Sequence, residues 1–373
     1  MRCIFPLMIM LLSLLLTACE GQAPQNTTTI RVDQAMGGQP DPAFARALEP
    51  RAFQFPQDHG AHPEFATEWW YLTGNLRSEN GQHFGYQLTL FRVGLRPGQV
   101  QQDSSWRTNQ VYMGHLAISD IAAARHYSTE RFARAAAGLA GARLEPFEVW
   151  LGPWSMRADR KQSSFIVSAE QDDIGISLQL LPGNKRMILQ GERGLSRKSA
   201  TPGNASFYYS FTRLPTRGEI RIGDKFYTVE GNSWMDREWS SSALDKDQAG
   251  WDWFALQLDD GREVMYYQMR NKQGGAHAFS SGKLVEKDGR VHTLLPNQVM
   301  LMPSRYWQAR DGQRYPVKWS MQIARHQLDL VVEAMFDDQL MDHTVRYWEG
   351  AVGVSGSHTG KGYLELSGYD SRE

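Results

Sequence analysis

The sequence predicts an all-β protein made of two antiparallel barrel-like domains in tandem. Three observations carry this. Short strand-like runs recur at regular spacing, divided by Gly and Asn turns. Two hairpins echo each other: WWYLTGNL, a turn and HFGYQLTLFR at 69–92, then WDWFALQL, a turn and EVMYYQMR at 251–270. An internal duplication accounts for the echo, and so does the chance likeness of two aromatic hairpins. The strands of the second hairpin have no cleanly polar face. In its first strand Phe254, Leu256 and Leu258 share one side, and Trp251, Trp253, Ala255 and Gln257 the other. A strand apolar on one side and aromatic-plus-amide on the other suits a barrel that packs on one face and borders a cavity on the other.

Composition sets the bounds. The chain has 373 residues, enough for two ordinary domains, with 41% hydrophobic and 22% charged residues. The net charge of −1 offers no basic field for nucleic acid.

Residues 1–19 read as a signal sequence. Arg2 is the basic end, Leu7 to Leu16 the apolar run, and Leu16-Thr17-Ala18-Cys19 the closing tetrad. The run is too short for a stable bilayer-spanning helix. The tetrad resembles a bacterial lipobox, which implies an acylated Cys19 as membrane anchor; an ordinary secretory signal with a chance Cys is the alternative. Glu20, rather than Asp, follows the Cys. The expected location is therefore the cell envelope, on the periplasmic face of the outer membrane if the host has two membranes. The other cysteine, Cys3, is lost with the signal, so no disulfide or thiol chemistry is expected.

Residues 20–50 read as a flexible polar tether, with order beginning near Phe53. Residues 51–215 and 216–373 are the expected domains, joined at Leu214-Pro-Thr-Arg-Gly218. In the first, strands are expected at 69–76, 84–93, 111–118, 147–151, 164–169, 174–181, 186–190 and 206–212. A helix capped by Ser128 is expected over the Ala-rich 128–142. In the second, strands are expected at 219–229, 251–258, 263–270, 277–286, 317–323, 327–335, 344–354 and 362–369. The stretch 328–334 alternates apolar and polar residues as a half-buried strand should.

Familiar catalytic motifs are missing. No Gly-x-Ser-x-Gly elbow occurs, and Gly353-Val-Ser355-Gly356 has the wrong spacing. Gly356 to Lys361 is one residue short of a phosphate loop and lacks the following Ser or Thr. His59 and His62, with Glu64 or Glu68, could ligate a metal, but local hydrogen bonding explains them better. No metal or cofactor is expected. The richest stretch is 231–270, with four of the twelve tryptophans, Trp234, Trp239, Trp251 and Trp253, interleaved with Asp236, Arg237, Glu238 and Asp252. An apolar surround could keep a carboxyl such as Asp236, or Glu68 beside Trp69 and Trp70, protonated for acid catalysis. The competing and favoured reading is an ion-pair network of Asp236, Arg237 and Glu238 that fixes a loop, with Arg237 holding Asp236 ionised.

The segments DHGAHPEFATEWWYLTGNL (58–76), GLSRK (194–198), ASFYYSFTRL (205–214), 234–270 and YWEGAVGVSGSHTGKGYLELSGY (347–369) resemble the lipocalin-like carotenoid 1,2-hydratase family. The likeness is greatest to its lipoprotein branch associated with ABC-type export permeases. It implies two consecutive lipocalin-like barrels and a cofactor-free reaction. In that reaction a terminal alkene is protonated and water adds to the tertiary cation. The family's Asp-His-x-Trp element matches Asp236 and Trp239, with Arg237 where His is expected. The site expected from residues and resemblance together has Asp236, Trp239 and Tyr266 as catalytic groups. His59, Glu68, Trp69, Trp70, Trp234, Arg237, Trp251, Trp253 and Gln268 are the expected ligand contacts. The primary expectation is a membrane-anchored binder of a hydrophobic, isoprenoid or lipid-like molecule, with components of an ABC-type exporter among its expected partners. The alternative is a hydratase-like lyase.

Overall fold

A computed structural model describes residues 30–31, 41–98, 104–159, 161, 164–182, 187–242 and 244–369. Cys19, the rest of the expected signal and most of the expected tether lie outside the described residues. No helix among the described residues is long and apolar enough to cross a membrane.

Regular structure among the described residues is almost wholly strand. In order these are β1 (Ile30–Arg31), β2 (Thr67–Ser78), β3 (His83–Gly94), β4 (Gln110–Asp120), β5 (Arg125–Arg134), β6 (Ala140–Leu144), β7 (Phe147–Leu151), β8 (Trp154–Ala158), β9 (Phe165–Gln171), β10 (Ile174–Leu180), β11 (Ile188–Leu189) and β12 (Leu195–Arg197). Next come β13 (Ala205–Ile222), β14 (Lys225–Ser240), β15 (Gln248–Leu258), β16 (Glu263–Asn271), β17 (Ser281–Val285), β18 (Val291–Leu294), β19 (Met300–Gln308), β20 (Arg314–Ile323), β21 (Leu328–Ala334), β22 (Leu340–Asp342), β23 (Val345–Gly356) and β24 (Gly360–Leu366).

They form two curled sheets. The first runs β5-β4-β3-β2-β14-β13-β10-β9-β8-β7-β6, with β11 and β12 also paired to β13. The second runs β18-β17-β16-β15-β24-β23-β21-β20-β19, with β1 and β22 on β23. Each sheet wraps its own core, so the expected pair of antiparallel barrel-like domains is present. Strand alternation assigns the sides. Trp70, Leu72, Tyr86, Leu116, Trp154 and Met235 fill the first barrel. Phe254, Leu256, Tyr266, Trp319, Leu330 and Trp348 fill the second. Burial of one such side chain contributes about 1.5–3 kcal/mol.

Five local expectations need correction. The strand expected at 219–229 is instead the end of β13, a turn at Gly223 and Asp224, and the start of β14. The segment 128–142 is not a helix but most of β5, a turn and the start of β6. The turn places Ala137 at φ 49° and Gly138 at φ 75°, and β5 gains a full antiparallel partner in β4. Pairing outweighs the helix preference of alanine. Leu214 to Gly218 is no junction: it lies inside β13, whose long hairpin with β14 belongs wholly to the first sheet. The chain passes to the second sheet only between Ser240 and Gln248. Nor is 20–50 tether throughout. Ile30 and Arg31 pair with β23, and Phe44 and Ala47 are buried. Of the expected strand 186–190, Ile188–Leu189 alone is strand among the described residues.

The barrels meet through the outward faces of β2, β3, β13 and β14 on one side and β15, β16, β23 and β24 on the other. Gly85 is a point of close approach. A Cβ there would stand 2.6 Å from the Tyr363 hydroxyl and 2.8 Å from the Ala351 Cβ. Asn75 Nδ2 donates to the Gly362 carbonyl at 3.1 Å, Gln257 Nε2 to the Thr212 carbonyl at 2.8 Å, and Arg213 pairs with Glu263 at 2.6 Å.

Candidate functional site

Between these faces lies a cavity of about 130 Å³. The first barrel lines it with Trp69 and Tyr71 of β2, Thr89 and Phe91 of β3, Tyr208 of β13, and Asp236 and Glu238 of β14. Lys198 lies just beyond β12. The second barrel supplies Trp251 and Trp253 of β15, Tyr267 and Met269 of β16, Tyr347 and Glu349 of β23, and Glu365 of β24. The aromatic-and-amide side of β15 therefore does border a cavity, while Phe254 and Leu256 pack inward.

Asp236 is the centre of the first wall. Trp234 Nε1 donates to its Oδ1 at 2.7 Å and Ser210 Oγ at 2.5 Å, while the Tyr208 hydroxyl donates to Oδ2. Trp253 Nε1 reaches the same Tyr208 hydroxyl at 3.2 Å, joining the two barrels through one chain of donors. Burial pushes the Asp236 carboxyl up from 3.8 to about 7. The three donors oppose the rise, and the nearby Glu238 charge adds to it. Asp236 can thus hold or release a proton near neutrality.

A second polar group lies beside it. Glu238 accepts from Ser206 and pairs with Lys198 Nζ at 3.1 Å. The Lys198 ammonium also stands 4.3 Å from the Tyr267 ring centre. Opposite, Glu349 and Glu365 are direct cross-strand partners on β23 and β24. Tyr71 donates to Glu349, and Trp251 Nε1 donates to Glu365 at 2.8 Å. Burial raises both carboxyls. The Glu365 charge adds to the rise at Glu349, and the charges of Glu238 and Asp236 across the cavity add to the rise at Glu365.

The other face of β2 and β14 carries a different cluster. Glu68 accepts from Arg92 and, at 2.5 Å, from Arg237. It also meets His62, whose backbone N–H lies 2.9 Å away. Burial alone would raise Glu68, but the two guanidiniums and His62 hold it well below the usual carboxylate range. The Arg237 guanidinium lies 3.8 Å from the Trp70 ring centre, and His62 stacks on Trp239 at 3.8 Å. His59 sits here too, bonded to Tyr209 at 2.7 Å, with burial and then Arg237 lowering it to about 4.

The expected site therefore divides. Asp236, Trp69, Trp251 and Trp253 line the cavity, and Trp234 supports Asp236. Trp239, Arg237, Glu68, Trp70 and His59 lie across the β-sheet from it. Period-two alternation turns residues 237 and 239 away from 236. The expected ion-pair loop is corrected for the same reason: 236–238 is strand, Arg237 turns from both acids, and Glu238 pairs with Lys198 instead. Tyr266 belongs to the core of the second barrel; its neighbour Tyr267 faces the cavity. Gln268 shares the Tyr266 side and reaches Asp252 at 3.4 Å. Lys198, Tyr208, Glu349 and Glu365 were not singled out. The available signal was a lone acid inside an apolar strand, as in Tyr347-Trp-Glu-Gly-Ala-Val352.

The sequence profile of the AttH-like family matches residues 46–369. The chain belongs to the AttH-like family. A crystal structure described as AttH from Nitrosomonas europaea is 32% identical, with TM-score 0.78, covering 87% of this chain and 99% of its own. Kievitone hydratase from Nectria haematococca has the same fold at 12% identity and TM-score 0.64, covering 88% of this chain and 99% of its own. CghA, also at 12% identity, has TM-score 0.53, covering 88% and 97%. No curated protein matched in sequence. The family and the lipocalin-like, hydratase-like fold thus agree with the resemblance drawn from the residues.

Proposed function

We propose that the inter-barrel cavity binds a hydrophobic, unsaturated ligand and that Asp236 exchanges a proton with its alkene in a hydro-lyase reaction. The observation that carries this is a carboxyl raised to about 7 inside an aromatic cavity. In the forward sense the Asp236 carboxyl gives its proton to the less substituted alkene carbon. The resulting cation lies among the faces of Trp69, Trp251 and Trp253. Water adds to it and returns a proton to the Asp236 carboxylate, so the enzyme is regenerated and one water is consumed. Tyr208, Ser210 and Trp234 orient the carboxyl. Glu349 and Glu365, raised by burial, present carboxyl oxygens to the opposite wall. The hydratase named among the fold neighbours supports the reading.

The test is incubation with an acyclic isoprenoid alkene in heavy-oxygen water. Incorporation of one labelled oxygen, lost in Asp236→Asn, is expected. No incorporation by the wild type with any terminal isoprenoid alkene would sink the reaction.

A second reading rests on the amino-terminal pattern ending at Cys19. In it, the protein is a membrane-tethered carrier that holds the same ligand without changing it, beside an ABC-type exporter. Mass spectrometry of molecules extracted from the purified protein tests it. An apolar molecule recovered unaltered, with no label incorporated, favours the carrier.

A further inference from the structure

We propose a divalent transition-metal site of the Zn²⁺ class on the second barrel, formed by Glu286, His292 and His326. It is separate from the cavity and belongs to neither reading above. Glu286 follows β17, His292 lies on β18, and His326 ends the single 3-10 turn Ala324–His326 between β20 and β21. Their ligating atoms all lie within 4.8 Å of one another. Glu286 Oε1 is 3.4 Å from His292 Nε2 and 3.8 Å from His326 Nδ1.

These separations are too long for good hydrogen bonds, which close to about 2.7–3.2 Å. They suit atoms facing each other across an ion. Ligands about 2.1 Å from a tetrahedral Zn²⁺ stand roughly 3.4 Å apart. Two imidazoles and one carboxylate are a known zinc set, with the fourth position left to water. The three side chains are only partly buried, so an ion can enter from solvent.

Arg262 Nη1 donates to the His326 carbonyl at 3.2 Å, and its charge and that of Arg325 oppose a cation. Asp260, bonded to Arg262 Nε at 2.7 Å, offsets part of this. The positions of the ligands give the ion a role. β18 ends the second sheet at one edge, and β20 lies next to β19 at the other. One ion would tie the β17–β18 edge hairpin to the β20–β21 turn near the opposite end of the sheet.

The test uses tag-free protein stripped with a chelator and titrated with Zn²⁺ by calorimetry, with melting followed in parallel. One equivalent of Zn²⁺ bound, a raised Tm, and no response to Mg²⁺ are expected. His292→Ala combined with His326→Ala should weaken binding by at least about 100-fold, beyond the usual effect of losing an outer-shell partner. Glu286→Gln, nearly isosteric, should also weaken it should the double variant not fold. Absence of stoichiometric binding, or binding unchanged in these variants, overturns the site.

Discussion

Asp236→Asn should separate stability from activity in opposite directions. The native Asp236 carboxyl sits at about 7 against an ordinary 3.8, because burial disfavours its charge. The folded state therefore binds this proton more tightly than the unfolded state. Its contribution to stability is fully present below about 3.8 and is lost as pH rises through about 7. Three pH units correspond to about 4 kcal/mol, so at pH 8 the wild type carries up to about that cost in ionised Asp236. Asparagine has no such cost. Its Oδ1 keeps the Ser210 and Trp234 donors, and its amide can donate to the Tyr208 oxygen. Denaturant unfolding across pH 4–8 should show the variant gaining on the wild type as pH rises, by a few kcal/mol at the alkaline end. Turnover on the isoprenoid alkene should fall by about 10²–10⁴-fold. A variant with no pH-dependent gain would refute the buried-acid argument, and one with unchanged turnover would remove Asp236 from the chemistry.

Other predictions follow from the same geometry. Tyr208→Phe removes a donor that lowers Asp236, so the alkaline limb of the turnover–pH profile should move to higher pH. An unmoved limb would assign that limb to another group. Gly85→Val drives new atoms into Tyr363 and Ala351, and should cost about 1–3 kcal/mol in denaturant unfolding. Arg237→His leaves Glu68 with one guanidinium instead of two, and should destabilise by about 3 kcal/mol without adding hydration activity. A gain of activity would contradict the placement of residue 237 across the sheet from the cavity.

The parts of the fold read from sequence were those with local signals. Both aromatic hairpins stand where the Asn-Gly and Asp-Gly turns put them, and the two faces of 251–258 were sorted correctly by alternation. The helix expected over 128–142 failed because alanine propensity is weak beside a long β4 partner that sequence does not reveal. The site was legible only along β2, β14 and β15. Trp69, Asp236, Trp251 and Trp253 were found because they cluster in sequence. Glu349 and Glu365 are far from them, and only the cross-strand register of β23 and β24 brings them opposite each other. Tyr266 was chosen over Tyr267 because both lie on one aromatic strand and only tertiary packing tells the sides apart.

Arg237 shows what that distinction does to function. Read along the chain, a guanidinium beside Asp236 argues for an ionised, unreactive carboxylate. Read across the sheet, the same alternation separates two carboxyl environments by one thickness of backbone. On the first-barrel side, Glu68 meets Arg92 and Arg237 and is held charged. On the cavity side, Asp236 meets hydroxyl and indole donors and no arginine, and is held near neutrality in titration. Opposed environments of this kind let one fold keep one acid as structure and free another for proton transfer. The residue that stands where the hydratase resemblance implies His therefore serves the barrel rather than the cavity. Its identity does not decide whether Asp236 can act as an acid.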